Sequence, residues 1–219
     1  MLRSPGLPPP MRLRRMTRGA GETGWFRFRA ARVRMGRMGR IVYGMLQSLD
    51  GYIADEDGRI PLPVPEAPLH RHFNEVMRRT RLSVYGRRMW ETMRYWGGPD
   101  PDRDEVAAEF AALWAETPTV VVSTTLTEAP EGVELVRHDV VERVRALRDA
   151  YDGDIEVSGS VLAATLGAAG LIDEYQLYLQ PVVLGGGRPY FAAGFAPELR
   201  LVGTERLPQD VVLVRCAPA

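Results

Sequence analysis

Three short segments of this 219-residue chain combine residue types suited to gripping anions: Gly86-Arg87-Arg88, Ser123-Thr124 and Ser158-Gly159-Ser160. Each succeeds an apolar run of strand length, namely Leu82 to Tyr85, Thr119 to Val122 and Ile155 to Val157. The first and third also open helical patterns. A helix N-terminus presents unpaired N–H groups and roughly half a positive charge, so it receives anions. Gly159 has no side chain to hold an anion away, and the flanking serines can donate hydroxyl hydrogen bonds. A guanidinium fork beside Gly86 suits a terminal phosphate, which it pairs bidentately. Ser123 and Thr124 would complete that pocket with hydroxyls.

Two such helix starts match a ligand with two separated phosphate groups, and NADPH is one, with its diphosphate and its 2′-phosphate. Taken singly, each segment has a plainer explanation. Ser-Gly-Ser is an ordinary turn, and Gly-Arg-Arg is a solvated helix start. Their recurrence at three strand ends is the informative feature, because α/β sheets bind ligands beyond the carboxyl ends of their strands. Other nucleotide and catalytic signatures do not fit. No G-x-G-x-x-G comes after a strand. Gly185-Gly186-Gly187-Arg188 lacks the Lys-Ser/Thr of a P-loop, and no G-x-S-x-G frames Ser158. His70 and His72, two apart, do not share a helix face. Three histidines and one cysteine are poor material for a metal site.

The elements that must position these segments alternate. Ile41 to Leu46 reads as a strand ending at the Asp50-Gly51 turn, and residues 55–68 read as a loop rich in Pro, Gly and acids. Leu69, Phe73, Val76 and Met77 form one face of a helix opened by Pro68. A further helix holds Met89, Trp90 and Met93 and breaks at Trp96-Gly97-Gly98-Pro99. The next carries Val106, Phe110, Leu113 and Trp114, with Asp102 or Asp104 as N-cap. Val133 to Val136 is a short strand, Asp139 caps the helix of Val144 and Leu147, and Val161 to Ala169 is a small-residue helix. Tyr175 to Leu184 reads as one long strand, and Leu199 to Arg206 with Val211 to Cys216 as a closing antiparallel pair. This order predicts an α/β fold with a mostly parallel central sheet flanked by helices and an antiparallel C-terminal edge.

Composition narrows the class. Apolar and charged shares of 45% and 26% are those of an ordinary globular domain. No apolar run is long enough to span a membrane. Cys216 stands alone, which fits a reducing, cytoplasmic compartment. The net charge of zero conceals an asymmetry: residues 1–38 hold ten arginines against Glu22 alone, leaving a compensating acidic excess in residues 39–219. The basic segment is expected to be a disordered or non-native extension, with translation starting at Met35 or Met38, and residues 39–219 to form the domain. A nucleic-acid-binding arm is the less favoured reading of it.

The segments Val84-Tyr85-Gly86-Arg87-Arg88-Met89-Trp90-Glu91 and Ser48-Leu49-Asp50-Gly51-Tyr52-Ile53-Ala54 carry a family resemblance. So do Ile155 to Ser160, Leu171 to Tyr175, and Pro181 to Phe191. Together they resemble the dihydrofolate-reductase-like superfamily, and most closely the reductase domain of the riboflavin-biosynthesis deaminase-reductase and its stand-alone relatives. The resemblance spans about residues 39–216. It implies a dihydrofolate-reductase-like fold, NADPH across the strand ends, a small heterocyclic substrate of pteridine or pyrimidine type, and a homodimer. It further implies that Gly86, Arg87 and Arg88 hold the adenosine phosphate end, that Ser123 and Thr124 line the adenosine pocket, and that Ser158, Gly159 and Ser160 cradle the diphosphate. The Gln47 to Asp50 segment and the Pro181 to Gly186 region, with Val182, Gly185 and Gly186, would flank nicotinamide and substrate.

Dihydrofolate reductases carry a carboxylate on the first helix; here Glu75 aligns with it only loosely. Asp50, at the end of the first strand, is the first candidate for a proton donor and Glu75 the second. No deaminase motif of the H-x-E and P-C-x-x-C kind is present. An NADPH-dependent oxidoreductase is the leading reading; a nucleotide-binding protein without catalysis is its rival.

Overall fold

The computed structural model describes residues 38–219. The basic segment therefore lies outside the described residues, but for Met38.

The chain forms, in order, β1 (Arg40–Ser48), β2 (Tyr52–Ala54), α1 (Ala67–Arg79), β3 (Thr80–Gly86), α2 (Arg87–Met93), a 3-10 turn (Arg94–Gly97), α3 (Glu105–Glu116) and β4 (Thr119–Val122). Then come β5 (Val133–Val136), α4 (Val140–Ala150), β6 (Asp154–Ser158), α5 (Ser160–Ala168), β7 (Glu174–Gln180), β8 (Arg188–Pro189), β9 (Leu199–Arg206) and β10 (Val212–Pro218). The main sheet has the order β5-β4-β3-β6-β1-β7-β10-β9. Neighbours from β5 to β7 run parallel, while β10 pairs antiparallel with both β7 and β9. This is the α/β architecture expected from the alternation of elements, closed at one edge by the antiparallel pair.

The two faces of the sheet bury different sets of residues. Ile41, Tyr43, Leu82, Val84, Ile155 and Val157 lie under α4 and α5, which contribute Val144, Leu147, Leu162 and Leu166. On the other face Tyr85 and Val121 meet Met77, Trp90, Phe110 and Trp114, and Leu69 packs on Tyr178 and Leu213. Central strands buried on both sides explain the near-continuous apolar runs at 41–43 and 82–85. Of the two candidate N-caps of α3 the fold uses Asp104, whose side chain accepts from the Ala107 N–H at 2.8 Å.

Two local expectations are corrected. The strand expected to run to Leu184 stops at Gln180, because Pro181 brings no N–H to the ladder and the Val182 N–H folds back to the Gln180 carbonyl at 2.8 Å. Asp139 stands at the N-cap of α4 but in a left-handed conformation (φ 52°), and its side chain caps nothing. A small sheet of β2 with β8, in which Ala54 pairs with Arg188, adds two strands that the sequence reading does not contain. Strands of three and two residues carry too little periodicity to be seen in sequence.

Candidate functional site

Strand order sets the site. β3, β6 and β1 are adjacent in the sheet, so the elements at their carboxyl ends lie side by side: α2 after β3, α5 after β6, and β2 after β1. Tyr85 and Ser158 are register partners, which puts Gly86 beside Gly159. Gly159 has φ +119°, a conformation L-residues rarely adopt, and a Cβ there would lie 3.6 Å from the Gly86 nitrogen. That distance is an ordinary van der Waals contact, so the requirement for glycine comes from the backbone conformation. Neither start has a side-chain cap, so early amides of both helices lack that partner. α2 has only seven residues, so its contribution comes chiefly from its arginines and less from a helix dipole.

These starts open into a cleft of about 530 Å³, whose lining includes Gly86, Arg87, Arg88, Gly159 and Ser160. Met45, Ile53 and Ala54 give it an apolar wall on the β1 side. Arg87 is oriented by two partners: its Nε donates to Glu91 at 2.9 Å and its Nη1 to the Thr125 hydroxyl at 2.7 Å. Among the described residues, no group of three or more His, Cys, Asp or Glu side chains is placed to hold a metal ion.

Other residues singled out by sequence fall elsewhere. Ser158 is buried at the end of β6, directly behind the cleft. Ser123 is also buried, and its hydroxyl accepts from the N–H groups of Thr125 and Leu126, so it shapes the turn. Thr124 is exposed and does not line the cleft; Thr125, one residue on, carries the hydroxyl that meets Arg87. Val182, Gly185 and Gly186 do not line it either. They belong to a segment tied to the end of β1, where the Val182 carbonyl accepts from the Leu49 N–H at 2.7 Å.

The Asp50 carboxylate makes the second tie, accepting from the N–H groups of Leu184 at 3.1 Å and Gly185 at 2.7 Å. The Ser48 hydroxyl and those two amides hold it below the usual carboxylate range. Both of its oxygens are engaged as hydrogen-bond acceptors. Glu75 is exposed on α1 and paired with Arg78, away from the cleft. The helix face that buries Leu69 and Met77 turns Glu75 outward.

Arg188 and Thr125 are among the cleft residues that sequence reasoning misses. The Gly-Gly-Gly-Arg run invites comparison with the P-loop pattern, which it fails, and Thr125 lies one position beyond the Ser123-Thr124 pair.

These elements define a dihydrofolate-reductase-like α/β protein, and comparison with solved structures agrees. Dihydrofolate reductase from Enterococcus faecalis, complexed with NADP(H) and RAB-propyl, superposes with a TM-score of 0.58 at 20% identity, covering 83% of this chain and 98% of that one. A protein of Shewanella sp. PV-4 assigned to riboflavin biosynthesis superposes with a TM-score of 0.62 at 25% identity, covering 83% and 99%. In sequence, the YyaP protein of Bacillus subtilis (strain 168), itself uncharacterized, is 26% identical over 182 residues, which are 80% of this chain and 93% of that protein. The profile of the RibD C-terminal domain matches residues 40–213. The chain belongs to the RibD C-terminal domain family.

Proposed function

We propose that this protein is an NADPH-dependent reductase acting on a small heterocyclic substrate of pteridine, pyrimidine or related type. The observation that carries the reading is the junction of Gly86 with Gly159, where two uncapped helix starts meet beside Arg87 and Arg88. The residues fit the cofactor. Arg87, Arg88 and the Thr125 hydroxyl would hold the 2′-phosphate, and the amides after Gly159 with the Ser160 hydroxyl would hold the diphosphate. Met45, Ile53 and Ala54 would form the wall against the nicotinamide. Bound there, NADPH supplies the hydride that reduces an electron-poor C=N or C=O carbon.

The chain itself contributes binding, orientation and exclusion of water. Asp50 acts on this reading as a positioning residue that fixes the 181–186 segment, and no proton transfer is assigned to it or to Glu75. A homodimer and a cytoplasmic location belong to the same reading. No helix among the described residues is long and apolar enough to cross a membrane.

The test is a fluorescence titration of the full chain with NADPH and NADH, with a subsequent screen of ring-containing substrates for NADPH oxidation. Tighter binding of NADPH with turnover of at least one heterocycle is the expected result. Binding without oxidation of any substrate would favour the non-catalytic rival, and absence of dinucleotide binding would end the reading.

A further inference from the structure

Arg188 stands apart from the other cations near the cleft. Its strand, β8, is fixed to the scaffold: Ala54 pairs with Arg188 itself, and the Tyr190 N–H donates to the Gly51 carbonyl at 2.9 Å. The side chain is partly buried and lines the cleft. It runs across the loop after β2, where a Cβ on Gly58 would lie 2.7 Å from Nη2, so the loop leaves room for the guanidinium. Of the three acids at the start of that loop, Glu56 has a carboxylate oxygen 3.7 Å from where a Cβ on Gly186 would lie. It makes no ion pair with Arg188, and the other two acids are engaged elsewhere. Asp57 pairs with Arg59 at 2.6 Å, and Asp55 accepts from the Arg59 backbone N–H at 2.8 Å. Among the described residues no carboxylate lies within ion-pair distance of Arg188. Arg188 therefore presents to the cleft a positive charge that a ligand anion could pair with.

The strand order indicates which anion. Along the carboxyl edge of the sheet come Arg87 and Arg88 after β3, the α5 start after β6, and β2 with β8 after β1. Cations therefore flank the α5 start on both sides. We propose that Arg188 pairs with the diphosphate of the bound dinucleotide from the β1 side, while Arg87 and Arg88 read the 2′-phosphate from the β3 side. This rests on the protein's being a dinucleotide-dependent reductase. It assigns affinity for either nicotinamide dinucleotide to Arg188, and preference between them to the other two arginines.

The experiment compares NADPH and NADH titrations of the full-length wild type with Arg188→Ala, Arg188→Met and Arg188→Lys, across a series of salt concentrations. Thermal melting first confirms that each variant is folded. Arg188→Ala and Arg188→Met should weaken both dinucleotides by the same factor, about 10- to 100-fold, as expected for loss of a charge-assisted contact. Their ratio of affinities should stay at the wild-type value, and the salt dependence of binding should flatten. Arg188→Lys should recover part of both effects. A guanidinium that merely braces the loop would leave the salt dependence unchanged, and that result overturns the proposal. It is equally overturned by selective loss of NADPH, or by unchanged dinucleotide affinity with a raised substrate KM. Failure of the wild type to bind either dinucleotide would instead sink the underlying functional reading.

Discussion

Tyr43 and Tyr190, 147 positions apart, exchange hydrogen bonds with each other's backbone: the Tyr43 hydroxyl donates to the Tyr190 carbonyl at 2.9 Å, and the Tyr190 hydroxyl to the Tyr43 carbonyl at 2.8 Å. Their ring centroids are 4.4 Å apart, and both side chains are buried. Burial pushes both phenols above the usual tyrosine range, so they remain protonated donors at any physiological pH. The pair joins β1 to the residue just past β8, and so ties the wall bearing Arg188 to the centre of the sheet.

Tyr190→Phe should therefore lower stability by about 1–3 kcal/mol, because it strands a buried carbonyl and leaves the ring in place. Tyr43→Phe should cost a similar amount, and the double variant less than the sum, since the two bonds share one geometry. Urea denaturation of the three variants measures this.

Arg87→Ala removes a guanidinium already oriented by Glu91 and Thr125. The NADPH dissociation constant should rise about 10- to 100-fold with NADH little affected. Loss of both dinucleotides alike would move the 2′-phosphate away from α2.

Gly159→Ala places a Cβ on a backbone held at φ +119°. The strain should cost about 1–3 kcal/mol of stability. As the strained turn displaces the amides after it, NADPH affinity should fall about tenfold, the equivalent of one lost anion contact of about 1.4 kcal/mol. Melting curves and titration separate the two effects.

Asp50 has a folded-state value below its unfolded one, so its contribution is present above the unfolded value and fades as pH falls through the folded value. The protection of the Leu184 and Gly185 amides, taken relative to the intrinsic exchange rate at each pH, should fall in acid, and in Asp50→Asn it should already be low at neutral pH. If Asp50 were a proton donor, the substitution would alter the pH profile of turnover and leave that protection unchanged.

Glu156, on the sheet beside Gly44 and Tyr178, has the opposite sign. Desolvation first, and then the neighbouring Asp154 charge, push its carboxyl up to about 8. Folding thus favours its protonated form. That contribution is complete below the ordinary glutamate range and disappears as pH rises through about 8. Glu156→Gln should flatten this part of the stability profile. The variant should exceed the wild type at alkaline pH by up to a few kcal/mol, at about 1.4 kcal/mol for each tenfold change in proton affinity. Chemical denaturation between pH 5 and pH 9, a window spanning roughly one unit above the ordinary value to one above the shifted value, tests it.

The alternation of elements was legible because apolar periodicity is local: runs at 82–85 and 155–157 declare buried strands, and the Leu69, Phe73 and Met77 spacing declares a helix. The glycines and arginines at the helix starts were legible for the same reason, since a strand end, a turn and a helix start are contiguous in the chain. The partners of the Asp50 carboxylate were not legible, because they come from a remote segment. Leu184 and Gly185 lie more than 130 residues from Asp50.

Residue order therefore specified the fold class, the family motifs and the Gly-Arg-Arg and Ser-Gly-Ser helix starts, all of which are written in short contiguous stretches. Three-dimensional packing assigned the rest: the adjacency of β3 and β6 that puts Gly86 against Gly159, the choice of Thr125 over Thr124, and the arrival of Arg188 from a two-residue strand. Contacts between remote segments depend on strand order and on which side of the sheet each crossover takes, and no local pattern encodes either.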